Sequence, residues 1–189
     1  MGQRLNLEIR SGGKVIANSY YHWSAYTGSA YVITMDAFDY LSKHKDIISD
    51  KKVLAIRALE ATGAGLPDSE VYRMHDMRKY NKMTFQKFKD RNEGIIGVFP
   101  DSIKDTQTWS EGDSIIDLDT MTISFSVLSW YEDMDEWNEY YGEDTKPEDI
   151  TTIEFDPLGA LTAEQLKELV DLVSSKWVDY NGTRYCEIA

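Results

Sequence analysis

The sequence predicts an α+β fold: an antiparallel sheet built from two hairpins, with helices packed on one face. Two stretches of alternating apolar and polar residues, at residues 4–10 and again after residue 114, predict the sheet. A capping sequence at residue 162, followed by apolar residues at helical spacing, predicts the main helix. The chain has 189 residues, of which 42% are hydrophobic, and shows no repeat or interdomain linker. We therefore expect a single domain over residues 1–189.

The first hairpin is predicted at the N-terminus. Leu5, Leu7 and Ile9 alternate with polar residues, which is typical of a half-buried strand. Residues 11–14 read Ser-Gly-Gly-Lys and contain two glycines that tolerate positive φ, so the chain is expected to turn there. The return strand is predicted over residues 15–23.

Two helices are predicted after a small, polar loop at residues 24–30. The first covers residues 31–44. The second begins near Asp50, which is a suitable N-cap, and ends at Gly63, where glycine takes the left-handed conformation that closes many helices.

The second hairpin follows a buried strand and a long connection. Residues 94–100 are apolar and end in proline, which predicts the buried strand. Residues 101–114 are polar and are expected to form the connection. The hairpin strands are predicted at residues 114–119 and 121–131.

The C-terminal part is predicted to hold a short strand at residues 151–155, a helix and an edge strand at residues 183–188. The helix opens with a capping box formed by Thr162 and Gln165. Its expected buried stripe consists of Leu166, Leu169, Val170, Val173 and Trp177.

The net charge of −13 is distributed unevenly. Residues 1–50 are neutral, residues 51–91 carry ten bases and five acids, and residues 92–189 carry 23 acids and five bases. Such a separation of charge along the chain favours electrostatic steering toward a cationic partner. The alternative is a solvated surface that aids solubility.

Composition also excludes several classes of protein. The single cysteine, Cys186, excludes an internal disulfide and predicts a reducing, cytoplasmic setting. No apolar run approaches the roughly 20 residues that span a bilayer, so no membrane association is expected. The three histidines lie far apart and no glycine-rich phosphate motif occurs, so we expect no metal site and no cofactor.

The candidate partner-binding surface is the acidic stretch, residues 126–156, in which Lys146 is the only base. Aromatic residues of the kind that dominate binding hot spots alternate there with carboxylates that resemble a phosphate backbone. The alternative is an acidic loop whose aromatic residues only anchor it to the core. The predicted contact residues are Trp130, Tyr131, Glu132, Asp133, Asp135, Glu136, Trp137, Glu139, Tyr140, Tyr141, Glu143 and Asp144.

A second candidate is a pocket formed by Tyr20, His22, Ser24 and Tyr26. A serine beside a histidine is typical of a nucleophile with its base. No oxyanion-hole glycines or orienting acid can be identified, and no catalytic residue is assigned. The alternative is an aromatic strand of the sheet, with His22 hydrogen-bonded at its end.

The basic segment, residues 71–91, mixes lysines and arginines with aromatic residues, as in surfaces that stack nucleic-acid bases. The acidity of the whole chain argues against direct nucleic-acid binding, because like charges repel. We expect instead that the basic segment pairs with the acidic stretch of the same molecule.

The opening MGQRLNLEI, followed by ANSYYHWSAYT at residues 17–27, resembles small uncharacterised proteins of phages and prophages in low-GC Gram-positive bacteria. The resemblance covers about the first 30 residues. It implies a mobile-element setting in a host cell, where small acidic proteins are often inhibitors of host defence nucleases. It carries over no activity and no catalytic residue.

The sequence therefore favours a non-enzymatic acidic interaction protein, of phage origin, that binds a basic protein such as a defence nuclease or another nucleic-acid-binding protein of the host. A small enzyme or ligand-binding protein, with its pocket at His22, Ser24 and Tyr26, is the competing hypothesis. A structural or assembly protein of a phage particle is the third.

Overall fold

The computed structural model describes residues 4–25, 27–67, 69–70, 73, 94–108, 110–127 and 160–175. The strands in these ranges are β1 (Leu5–Ser11), β2 (Lys14–Tyr21), β3 (Gly94–Gly97), β4 (Gly112–Asp117) and β5 (Thr122–Ser126). The helices are α1 (Thr27–His44), α2 (Lys51–Ala61), α3 (Pro100–Gln107) and α4 (Ala163–Ser175).

The strands form one sheet in the order β3-β2-β1-β4-β5. Both predicted hairpins, β1–β2 and β4–β5, are present, and the α+β class is confirmed. The hairpins lie side by side through their first strands, so β1 and β4 run parallel and the sheet is mixed, although mostly antiparallel. Gly12 and Gly13, with φ of 59° and 70°, make the tight turn of the first hairpin.

The apolar face of the sheet carries Leu5, Leu7 and Ile9, all fully buried. Helices α1, α2 and α4 pack on this face. The α1 residue Thr34 reaches β4 through a hydrogen bond of 2.8 Å to the Ser114 hydroxyl. At the end of α2, the Thr62 hydroxyl shares a hydrogen bond of 2.5 Å with the Tyr21 phenol of β2.

Helix α3 lies on the opposite, polar face of the sheet, against β2 and β3. It approaches closely at Gly97, where a Cβ atom would lie 2.9 Å from the carbonyl carbon of Ser102. The fully buried Asn18 of β2 directs its side-chain amide to the Ile103 carbonyl of α3. The prediction that helices pack on one face thus describes α1, α2 and α4, and α3 departs from it.

Most predicted boundaries agree with the structure within a few residues. Asp50 caps α2 by accepting hydrogen bonds from the main-chain N–H groups of Lys52 and Val53. Helix α1 begins at Thr27, four residues earlier than predicted. The predicted connection at residues 101–114 contains helix α3. The predictions for residues 151–155 and 183–188, and for most of the basic segment, lie outside the described residues.

Candidate functional site

The twelve residues predicted to bind a partner, from Trp130 to Asp144, all lie outside the described residues. What the structure describes is the frame on either side of them. Residue Val127, just after β5, is buried against the core, and the description resumes at Ala160. The ends of the acidic stretch therefore have a defined place in the fold.

The described residues on either side of the acidic stretch meet at β5. The stretch begins in β5 itself, at Ser126. Beyond its far end, Leu161 pairs with Ile123 of β5, and the two residues exchange main-chain hydrogen bonds of 2.8 Å in both directions. The acidic stretch is thus closed on the edge strand from which it departs.

The predicted capping box of α4 secures this return. The main-chain N–H of Gln165 donates to the Thr162 hydroxyl at 3.2 Å, and the N–H of Thr162 donates to the Gln165 side chain at 2.9 Å. Leu166 and Val170 are fully buried, as the helical spacing predicted. The helix that follows the acidic stretch therefore starts at a defined point on the core.

In the second candidate site, Ser24 and the His22 ring have separate hydrogen-bond partners. The Ser24 hydroxyl donates to the main-chain carbonyl of His22 at 3.1 Å, not to the imidazole ring. The Nδ1 atom of His22 shares a hydrogen bond of 2.9 Å with the Tyr20 phenol. Tyr26 lies outside the described residues. This geometry agrees with the alternative interpretation, in which His22 is hydrogen-bonded at the end of an aromatic strand.

Trp23 lies beyond the end of β2, whereas the predicted return strand extends to residue 23. Strand β2 ends at Tyr21, so Trp23 does not share the buried face with Tyr21. Its side chain is 49% exposed, and its backbone φ of 59° lies in the left-handed region that bulky residues rarely adopt. The ring of His22 meets that of Trp23 edge-on, with centroids 5.2 Å apart.

Together with Tyr20 and Ile95, these two rings form an aromatic patch, which we define as Tyr20, His22, Trp23 and Ile95. Tyr20 and Ile95 are cross-strand partners on the polar face of the sheet, and Ile95 is 36% exposed. The sequence singled out Tyr20 and His22 as candidate site residues, but not Trp23, whose exposure depends on where β2 ends.

The aromatic patch and the start of the acidic stretch lie at the same end of the sheet. The strand register aligns Gly94, Tyr21, Leu5 and Gly112 in one row across four strands. A Cβ atom at Gly112 would lie 3.0 Å from the Ala25 Cβ and 3.2 Å from the Val127 Cγ1. The loop that carries Trp23 and the point where the acidic stretch leaves β5 therefore meet at Gly112.

The polar face of the sheet contains a hydrogen-bond network that the sequence did not reveal. Glu8, 5% exposed, accepts hydrogen bonds from Asn6, Arg10 and Gln107. Asn6 in turn accepts from Asn18 at 2.9 Å. Because both Glu8 oxygens accept hydrogen bonds from neighbouring side chains, this carboxylate stabilises the sheet.

Most basic residues of the described part are neutralised internally. Seven of them have a carboxylate within 4.0 Å: Arg4, Arg10, Lys43, Lys51, Arg57, Arg73 and Lys167. Arg73, the described residue of the basic segment, pairs with Glu70 and Asp101. Its described partners are therefore not in the acidic stretch, and pairing of the remaining basic segment with that stretch stays a prediction.

Two further kinds of feature, a metal-binding cluster and a membrane-spanning helix, are absent from the described ranges. These ranges contain no group of three or more His, Cys, Asp or Glu side chains arranged to hold a metal ion. Within the same ranges, no helix has the length and apolar character needed to cross a membrane.

Comparison with known proteins found no match: no family model, curated protein or solved structure is similar to this chain.

Proposed function

We propose that this chain is a non-enzymatic interaction protein whose acidic stretch binds a basic protein partner. The observation that carries the proposal is the closure of the acidic stretch on β5 by the Ile123–Leu161 pair. The stretch holds eleven carboxylates, one lysine and six aromatic side chains between these fixed ends. A strongly charged segment with both ends fixed to a sheet has less conformational freedom to lose on binding than a free tail.

Internal ion pairing supports a negative field around the molecule. Because seven described bases already pair with described carboxylates, they contribute little net positive charge to oppose the acidic stretch. A protein of net charge −13 attracts cationic partners over about a Debye length, 8–10 Å at physiological salt, and increases their association rate. The aromatic residues of the stretch would then lengthen the lifetime of the complex.

The partner class follows from this chemistry. Numerous carboxylates among aromatic residues imitate the phosphates and bases of a nucleic acid, and a nucleic-acid-binding cleft is both basic and able to stack aromatic rings. We therefore propose a nuclease or another nucleic-acid-binding protein of a bacterial host as the partner. The resemblance of residues 1–30 to phage proteins supports an anti-defence role in the host cytoplasm.

The experiment is capture of partners from a lysate of a low-GC Gram-positive host at graded salt, followed by mass spectrometry. The test variant is Glu136→Lys with Trp137→Ala, in the centre of the acidic stretch. The matched control is Glu168→Lys, which makes the same change in charge on the exposed face of α4.

The proposal predicts that the wild-type protein and the α4 control capture the same basic protein, that the double variant loses it, and that capture weakens as salt increases. Equal capture by the double variant would overturn the proposal. A small molecule that copurifies with the protein would instead favour the competing pocket at His22, Ser24 and Tyr26.

A further inference from the structure

We propose that the aromatic patch is the fixed part of the binding site and that Trp23 stacks on an arginine side chain of the basic partner. This inference rests on the proposed function and adds to it a described contact residue and the chemistry of the group that it binds. Three observations support it: the exposure of Trp23, its rigid placement, and its position beside the start of the acidic stretch.

The exposure of Trp23 is unusual for its residue type and place. Tryptophan is buried on average, yet half of this side chain is accessible, next to the half-buried Tyr20 and His22 and the exposed Ile95. Exposed apolar residues that are contiguous, rather than scattered singly, mark interaction sites. Tryptophan and tyrosine are also the residue types most enriched among binding hot spots.

Hydrogen bonds hold the backbone and rings around Trp23 in place. The Ser24 hydroxyl bonds to the His22 carbonyl across Trp23, and the His22 ring is fixed by the Tyr20 phenol. The His22 and Trp23 rings pack perpendicular to each other, with centroids 5.2 Å apart, and this contact restricts the position of the indole. A side chain that is already ordered loses little entropy when a partner binds.

The position of the patch connects it with the acidic stretch. Strands β2 and β5 both finish at this end of the sheet, and three strand spacings, roughly 14 Å, separate them. The loop after Trp23 spans part of that distance, because Ala25 reaches Gly112 beside Val127. A basic segment of a few residues can therefore span the distance from Trp23 to the point where the acidic stretch leaves β5.

Arginine is the side chain that best fits both parts of this surface. The face of an indole attracts cations more strongly than any other aromatic ring, and the planar guanidinium group stacks on it. The same guanidinium can also form paired hydrogen bonds with carboxylates such as those of the acidic stretch. A lysine offers charge without the planar contact, so the patch should discriminate between the two.

The test uses the full chain labelled with 5-fluorotryptophan, titrated with octa-arginine and with octa-lysine peptides at low and high salt. Comparison with Trp23→Phe assigns the fluorine resonance of Trp23 among the five tryptophans. Affinities are measured for wild type and for Trp23→Ala. Ile47→Ala is the matched control, because Ile47 is 75% exposed and lies beyond the far end of α1.

We expect octa-arginine to shift the Trp23 resonance, and Trp23→Ala to weaken octa-arginine binding by about three- to tenfold. Octa-lysine binding should change less, and Ile47→Ala should bind both peptides like wild type. Thermal unfolding of the Trp23→Ala protein should match wild type, because the side chain is half exposed.

Other outcomes overturn the inference in distinguishable ways. If octa-arginine binds and Glu136→Lys weakens it while the Trp23 resonance and Trp23→Ala show no effect, the inference fails and the proposed function stands. If neither peptide binds at low salt, the proposed function fails as well. An equal loss for both peptides excludes arginine stacking, and a Trp23 shift that depends only on protein concentration assigns the patch to a second copy of the chain.

Discussion

Ile123 and Leu161 exchange two main-chain hydrogen bonds of 2.8 Å each, although the whole acidic stretch lies between them in the sequence. Ile123 is fully buried in β5, so the pair joins the return of the chain to the core and not to a surface loop. The next residue, Thr162, caps α4. One short contact therefore joins β5 to the chain that returns after the acidic stretch, directly before the start of α4.

The first prediction concerns this pair. Leu161→Pro removes the N–H that donates to the Ile123 carbonyl, leaving a buried acceptor without its donor. We expect the free energy of unfolding to fall by about 2 kcal/mol more than in Leu161→Ala, which loses the side chain but keeps both hydrogen bonds. Urea unfolding of the two variants measures the difference. Equal stability would mean that the pair does not anchor the stretch.

The second prediction concerns the pH dependence of a contact made by Asp119. This residue joins the turns of the two hairpins and the start of α2. Its carboxylate accepts hydrogen bonds from the Lys51 ammonium at 2.5 Å and the Gly12 N–H at 2.6 Å, and these donors lower its pKa to about 2. An unfolded aspartate has a pKa near 3.9. The contribution of Asp119 to the stability of the folded state is therefore complete above the unfolded pKa and is lost as the pH falls through 2.

Asp119→Asn should consequently lower the melting temperature by a few degrees at pH 7 and by nothing measurable near pH 2. Thermal unfolding across this pH range tests both statements. Asp46→Asn, at an exposed site between α1 and α2, is the control and should follow the wild-type curve. A constant difference between Asp119→Asn and wild type at all pH values would refute the assignment.

Local patterns in the sequence predict the elements that depend only on neighbouring residues. The first hairpin follows from alternation and from Gly12 and Gly13, and the start of α4 follows from Thr162 and Gln165. Each of these features depends on residues within one turn of the chain.

Features that depend on contacts between distant residues are not predicted by the sequence, and one local signal has two interpretations. Pro100, predicted to end a strand, is the first residue of α3, a position that favours proline because no N–H is needed there. The network around Glu8 joins residues from β1, β2 and α3, and no local pattern marks it. The exposure of Trp23 depends on the end of β2, which alternation cannot locate.

The third prediction concerns the buried carboxylate of Glu8. Arg10→Met removes its cationic partner and leaves a buried charge with only amide donors, which should cost about 3 kcal/mol. Glu8→Gln should cost less, about 1 kcal/mol, because the remaining Arg10 is partly exposed and can be hydrated. Chemical denaturation measures both values.

The double variant, Arg10→Met with Glu8→Gln, decides whether the charge of Glu8 causes the loss of stability. If the cost of Arg10→Met arises from the stranded carboxylate, adding Glu8→Gln restores part of the lost stability, and the two effects are non-additive. Additive losses would show instead that Arg10 acts through its packing alone.

The last prediction concerns Tyr21, whose phenol is buried under α2 and shares a hydrogen bond with the Thr62 hydroxyl. Burial is the main cause that raises its pKa to about 12, against an ordinary value of 10. The folded state therefore favours the neutral phenol. The resulting stabilisation is complete below pH 10 and is lost as the pH rises toward 12, because the unfolded chain ionises first.

Tyr21→Phe should remove the part of the stability loss at alkaline pH that ionisation of this phenol causes. At pH 7 the variant loses about 1 kcal/mol, since Thr62 keeps its hydrogen bond to the Leu59 carbonyl at 2.6 Å. Between pH 10 and 12 its stability should fall by about 2 kcal/mol less than that of wild type. Urea unfolding at each pH measures this, with the half-buried Tyr40→Phe as the control. Parallel alkaline curves for Tyr21→Phe and wild type would show that Tyr21 ionises equally easily in both states, contrary to its burial beneath α2.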